Sequence, residues 1–278
     1  MSFDTVKGER SLKRRLFGMP TLIELNTLED NAILCRDLGL DFVEISMDMP
    51  EYQTDRLNAA ELRRVADKYG IYYTIHLSGF LDPCVFDKRV ALAHTETALE
   101  TIKIAKQTDT PVLNMHLNRG DYFTLPDRKV ALYAEYNADY LQKLADFRDK
   151  CTAAIGCADI VITLENCGDY RRCAFIQEGL DVLLESPKFA LCFDIGHNAT
   201  ADYADEPAIM ARGARLRHMH VHDAAQGKGN HLPLGDGSIN LIKYLDLADR
   251  YDCRKVLEVK TVTGLVSSVE WLKAGAVQ

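Results

Sequence analysis

The segment LRHMHVH (216–222) sets histidine at every second position, as His218, His220 and His222. Period two is the period of a β-strand, whose successive side chains leave opposite faces, so the three imidazoles share one face. Imidazoles gathered in this way point to metal coordination or proton transfer, the roles best suited to a near-neutral ring nitrogen. His231 follows in GKGNHLPLGDG (227–237), so half of the chain's eight histidines lie between Leu216 and Gly237.

Working outward, similar short apolar, β-branched or aromatic runs recur along the chain, each followed by a longer stretch of helical period. The strand candidates are FGMPTLIEL (17–25), FVEISM (42–47), YYTIHLS (72–78), PVLNMHL (111–117), DIVITLEN (159–166), FALCFDI (189–195), LRHMHVH (216–222) and KVLEVK (255–260). TLEDNAILCRDLG (27–39) reads as a helix opened by a Thr cap with acidic residues in its first turn and closed by Gly39. NAAELRRVADKYG (58–70) closes in the same way at Gly70. No linker or low-complexity stretch divides the βα units. The pattern therefore predicts one (β/α)₈ TIM barrel over residues 1–278, with 1–15 as a leader before the first strand. An open doubly wound sheet is the alternative, disfavoured because no GxGxxG or phosphate-binding loop follows any strand.

The composition fits such a domain. Of the 278 residues, 47% are hydrophobic and 27% charged, as in an ordinary soluble globular protein. No apolar run approaches the roughly 20 residues a membrane span needs, and the N-terminus lacks the apolar core of a secretory signal. The eight cysteines form no CxxC pair, which fits reduced thiols in a cytoplasmic protein better than disulfides or a thiolate zinc site. A net charge of −8 argues against a nucleic-acid partner.

In a (β/α)₈ barrel the active site lies at the C-terminal ends of the strands. There, in order, stand His76, His116, Glu165, Asp194 with His197 just beyond, His220 and Glu258; of the histidines only His94 falls in a helix candidate. Each residue alone could be a satisfied core side chain or one half of an ion pair. Together, converging carboxylates and imidazoles would repel or stay unsatisfied without a cation. The minimal metal set is Glu165, Asp194, His220 and Glu258, a mostly oxygen set suited to Mn²⁺, Mg²⁺ or Zn²⁺. His76 and His116 could add a second, nitrogen-richer position sharing Glu165. Period two leaves His220 and His222 competing as the imidazole ligand, with His218 deepest.

The motifs IHLSG, NMHL, LENCGD, CFDIGH, HMHVHD, HLPLGDG and LEVK, in this order, resemble the xylose-isomerase-like barrel superfamily over residues from about 40 to about 260. That superfamily includes sugar isomerases, ketose 3-epimerases, inosose dehydratases and endonuclease IV. The resemblance to the epimerases implies that Glu165, Asp194, His220 and Glu258 hold one divalent cation, with His197 near a substrate hydroxyl. It selects His220 over His222, leaving His218, His222 and Asp223 as supporting residues. It also implies that Glu165 and Glu258, on opposite sides of the substrate, are the catalytic acid and base, acting through an enediolate whose charge the metal offsets. Where the best-known ketose 3-epimerases carry a substrate-binding Glu and Arg, this chain has Arg171 and Gln226, so its sugar-contacting shell differs. The endonuclease IV three-zinc pattern is matched at His76, His116, Glu165, Asp194, His197, His220, His231 and Glu258, but Gly229 stands where that family supplies an Asp.

The expectation is a metal-dependent sugar or sugar-phosphate isomerase or epimerase using Mn²⁺ or Zn²⁺, with Mg²⁺ or Co²⁺ also suited. His76, His116, His197 and His231 are candidates for a second metal or for substrate. The expected partner is a small sugar, with no nucleic acid and no membrane; a homo-oligomer is compatible with this reading. The alternatives are an endonuclease IV-like zinc phosphodiesterase acting on abasic DNA, a polyol or keto-acid dehydratase and, last, a non-enzymatic metal-binding scaffold.

Overall fold

The computed structural model describes residues 16–168, 170–171, 173–227 and 229–275; the expected leader, 1–15, lies outside the described residues. Eight strands run β1 (Phe17–Pro20), β2 (Phe42–Ser46), β3 (Tyr72–His76), β4 (Val112–His116), β5 (Val161–Glu165), β6 (Phe189–Asp194), β7 (Leu216–Val221) and β8 (Arg254–Leu257). Each falls within a run the sequence marks as a strand or overlaps it to within a residue. All neighbours pair in parallel, and β1 pairs with both β2 and β8, which closes the barrel. Closure satisfies every strand edge, and the helices between strands cover the outside.

The two helices with sequence-legible ends form as expected. Thr27 caps α1 (Leu28–Leu38) in a capping box with Asp30, and Gly39 ends it in the left-handed conformation at φ 76°. Asn58 caps α2 (Ala59–Tyr69) and Gly70 ends it at φ 69°. The first strand is shorter than its apolar run suggests, because after Thr21, whose N–H still donates to the Glu44 carbonyl of β2, the backbone bonds leave the sheet. The N–H of Leu22 donates to the Asn31 side chain, and that of Leu25 turns back to the Leu22 carbonyl. At the other end of the chain, Val259 N–H turns back to the Leu257 carbonyl, which leaves Glu258 just past β8 at the barrel mouth.

Two antiparallel ribbons rise from the C-terminal end of the barrel. One pairs Tyr122–Thr124 with Lys129–Ala131 after β4; the other pairs Asp223–Ala225 with Gly229–Leu232 after β7 and carries His231. Buried Asp223 anchors the second ribbon and its loop, accepting the N–H groups of Ala224, Gly235 and Ile239 at 2.9, 3.1 and 3.1 Å. Gly196, in the short helix Ile195–Thr200 that follows β6, lies against the His222 ring. A Cβ built there would fall 1.8 Å from the imidazole Cε1. The glycine of CFDIGH thus makes room for the last histidine of HMHVH.

Gly196→Ala is therefore expected to push His222 aside and to cost about 1–3 kcal/mol, the usual penalty for overpacking a core. Urea unfolding of the variant checks this; an unchanged midpoint would show that the two motifs do not depend on one another.

Candidate active site

Four consecutive strands deliver the predicted minimal set to one point. Glu165 ends β5, Asp194 ends β6, His220 lies one residue before the end of β7, and Glu258 follows β8. All four are buried. The His220 Nδ1 lies 3.1 Å from Glu258 Oε2, 3.2 Å from Glu165 Oε2 and 3.8 Å from Asp194 Oδ2. One donor atom from each residue lies within 4.8 Å of every other. Donors about 2.1 Å from a common cation stand roughly 3.0 to 4.2 Å apart, so the spacing is close to that of a coordination shell. His220 Nδ1, Glu165 Oε1 and Glu258 Oε2 are buried and have no hydrogen-bond partner. Orphaned polar atoms of this kind are costly, and a divalent cation is a partner all of them accept. Three carboxylates and one imidazole fit Mn²⁺, Mg²⁺ or Zn²⁺.

The electrostatics favour positive charge at this point. Burial alone would raise the Glu165 carboxyl, but His220 and His116 outweigh it and hold the group well below the usual carboxylate range. Glu258 is depressed in the same way: burial opposes, while His220 and Lys260 prevail. The carboxylates act in return on the rings. Against the opposing effect of burial, His76 and His116 rise to about 9, chiefly through Glu165, and His197 rises to about 10 through Asp194 and Glu165.

The other predicted residues surround this cluster. His76 Nε2 and His116 Nε2 lie 3.2 and 3.4 Å from Glu165 Oε2, and His197 Nδ1 lies 3.3 Å from Glu165 Oε1. These three rings, with His231, face a cavity of about 250 Å³ above the cluster. His231 adopts a left-handed backbone at φ 56°, uncommon outside glycine. It is held there by its N–H, 2.9 Å from His222 Nδ1, and by its ring Nδ1, 3.0 Å from the Glu258 carbonyl. Burial lowers this imidazole to about 4. Its ring is therefore neutral, with the proton on Nδ1 toward the carbonyl and a lone pair on Nε2.

The two rings that compete at sequence level lie in different places. His222 Nδ1 accepts the His231 N–H, so its proton sits on Nε2, which faces the Asp194 carboxylate at 3.1 and 3.2 Å. His220 lies inside the cluster and His222 stands behind Asp194. His218 lies deeper, hydrogen-bonded to Glu44 at 2.9 Å.

Sequence reasoning missed Glu44, Asn114 and Lys260. Asn114 donates to Glu165 Oε2 at 2.5 Å, and its own carbonyl accepts from Thr163 at 2.8 Å. Lys260 Nζ donates to Glu258 Oε1 at 2.7 Å. Glu44 sits in the middle of β2, only 2% exposed; a charge inside the apolar run FVEIS was the available signal, since buried carboxylates are almost always paired. Arg171 and Gln226 are exposed, and neither lines the cavity. Gly229 is exposed as well, at φ +88° with open space beside its Cα.

Comparison with known proteins agrees with this fold. A family model described as a xylose isomerase-like TIM barrel matches residues 33–275. An uncharacterized protein of Methanocaldococcus jannaschii is 26% identical over 267 residues, covering 92% of this chain and 88% of the relative. Among solved structures, a D-tagatose 3-epimerase-like protein superposes with a TM-score of 0.75 at 25% identity, covering 93% of this chain and 96% of that one. The 3-keto-D-glucoside 4-epimerase of E. coli gives 0.72 at 14% identity, over 94% of this chain and all (100%) of that one. A probable 3-DHS dehydratase of Bacillus anthracis gives 0.68 at 15% identity, over 93% and 98% of the two chains. The last two likenesses are of fold alone. With the family model spanning most of its length, the chain belongs to the xylose isomerase-like TIM-barrel family.

Proposed function

We propose that the protein is a divalent-metal-dependent isomerase or epimerase of a sugar or sugar phosphate, with Glu165, Asp194, His220 and Glu258 holding the cation. The observation that carries this reading is the convergence of those four buried side chains, with donor atoms within 4.8 Å of one another, beneath a small polar cavity. When bound, a divalent cation supplies electrophilic stabilisation of the negative charge that develops on substrate oxygen as a carbon-bound proton leaves. Mn²⁺ and Zn²⁺ suit the set best, with Mg²⁺ or Co²⁺ next.

Glu165 and Glu258 are the proton-transfer residues in this reading, and each is anchored by one oxygen. Asn114 holds Glu165 through Oε2 and Lys260 holds Glu258 through Oε1. Their neighbours keep both carboxyls ionised, as a proton acceptor requires. His197 and His231, with Asp48 and Ser46 across the cavity, offer donors and acceptors for substrate hydroxyls. His76 and His116 either add to this lining or share Glu165 in a second metal position. Asp223 and His222 support the site from behind, through the ribbon and through Asp194.

A polyol or keto-acid dehydratase would need the same charge stabilisation and differs only in losing hydroxide in place of reprotonation. The endonuclease reading is weaker, because Gly229 leaves a third zinc with only His197 and His231. The acidic net charge of −8 likewise favours a small substrate over DNA. No helix among the described residues is long and apolar enough to cross a membrane.

Asp194→Asn and Glu165→Gln are expected to lose most of the bound metal and to fold normally, because each amide keeps the shape of the carboxyl and an oxygen to accept the same hydrogen bonds. Glu258→Gln is expected to lower turnover by about 10²–10⁴-fold. Elemental analysis with circular dichroism checks the first pair; wild-type metal content in both would refute the ligand assignment.

The reaction class is open to a direct test in D₂O across a panel of ketoses, aldoses and their phosphates. Solvent deuterium is expected at the carbon next to the carbonyl of the true substrate, and no cleavage of an abasic-site duplex is expected at any salt concentration. Efficient abasic-site cleavage without deuterium exchange would overturn the isomerase reading.

A further inference from the structure

We infer that Glu44 is the positioning residue that turns His220 toward the cation, fixing its proton on Nε2 so that Nδ1 presents a lone pair to the cluster. The inference rests on the metal-site reading above and concerns a residue outside that ligand set.

Glu44 is the one carboxylate of β2 and lies a layer below the cluster. Its Oε2 accepts from the Thr74 hydroxyl at 2.8 Å and is hydrogen-bonded to His218 Nε2 at 2.9 Å. Its Oε1 lies 2.9 Å from His220 Nε2, an ion-pair distance without the alignment of a linear hydrogen bond. Both rings are fully buried, and Glu44 reaches the floor of the cavity. Apart from Thr74, every polar partner of this carboxylate is therefore an imidazole of β7.

An ionised carboxylate can only accept, so a ring nitrogen held against it favours carrying a proton. Without a metal the His220 ring is held as a cation by the surrounding carboxylates; a ring that gives one nitrogen to a metal is neutral and keeps one such proton. With Nε2 protonated toward Glu44, Nδ1 has a lone pair aimed at Glu165, Asp194 and Glu258, all within 3.8 Å. A lone pair facing three carboxylates is repelled unless a cation lies between them. Glu44 thereby orients His220 and makes it a better donor to a metal, as carboxylate partners of metal-bound histidines do. Thr74 and His218 hold Glu44 in turn.

Calorimetric titration of the full-length, metal-free protein with Mn²⁺ provides the test, with Asp194→Asn as the control for the site itself. Glu44→Gln keeps the shape but removes the charge, whereas Glu44→Asp keeps the charge but withdraws it from His220. Both are expected to bind Mn²⁺ about 10–100-fold more weakly, while the metal-free variants unfold within a few degrees of wild type or above it. In the zinc-loaded, ¹⁵N-labelled wild type, the His220 ring is expected to carry its proton on Nε2 alone, a readout that does not require the variants to fold. Wild-type Mn²⁺ affinity in Glu44→Gln, or a His220 proton on Nδ1 in the zinc form, would overturn the role of Glu44 and leave the metal site standing. Failure of the wild type to bind Mn²⁺ or Zn²⁺ at all would overturn both.

Discussion

Negative charge held out of water is the constraint on which the rest of this barrel mouth depends. Glu165, Asp194 and Glu258 meet around a single ring nitrogen of His220, in a region almost closed to solvent. Like charges this close in a poorly polarisable interior repel strongly, and each carboxylate must be held against that repulsion. The fold supplies an anchor for each. Asn114 holds Glu165, Lys260 holds Glu258, and Asp194 takes the His197 backbone N–H at 2.6 Å as well as facing His222. The anchors hold each carboxylate so that an oxygen of each lies, with His220 Nδ1, about a common point. Such an arrangement is costly to fold around unless a cation completes it.

The barrel gives this cluster its precision. Four neighbouring parallel strands end at one rim, so residues far apart in sequence arrive side by side, three within strands and Glu258 one residue past β8. The registers Glu165↔Cys192, Asp194↔His220 and Val256↔His220 show how the strands place the set: paired positions interlock, and the turn after Leu257 lifts Glu258 into line. Support comes from the layer behind. Gly196 admits the His222 ring, His231 in its left-handed conformation fixes that ring's tautomer, and Asp223 ties down the loop beyond. The motifs CFDIGH, HMHVHD and HLPLGDG are thus parts of one packed unit.

Much of this was legible in the chain because barrels repeat. Short apolar runs separated by helical stretches marked all eight strands, and Thr27, Gly39 and Gly70 marked three helix ends to the residue. Strand-end carboxylates and imidazoles exposed the cluster, since active sites of such barrels gather at the C-terminal ends of the strands. The run after Pro20 misled because apolar character does not record backbone bonding: Asn31 captures the Leu22 N–H and bends the chain out of the sheet. Glu44, Asn114 and Lys260 escaped for a different reason. They lie inside strands or past the last one, and their importance is in partners contributed by other strands: Glu44 with His218 and His220, Asn114 with Glu165, and Lys260 with Glu258 across the closing turn. The choice between His220 and His222 was likewise beyond periodicity, which gives a shared face but not the depth at which each ring meets the opposite wall.

In the function we propose, a divalent cation sits at the meeting point of β5, β6, β7 and β8. Anomalous diffraction from crystals grown with Mn²⁺ or Zn²⁺, with data collected on both sides of the metal's absorption edge, tests it most directly. A strong peak is expected between Glu165, Asp194, His220 and Glu258, about 2.1 Å from the His220 nitrogen and from a carboxylate oxygen of each of the others. A saturated crystal with no peak between those four side chains, or with its ion held only by the outer histidines, would contradict it.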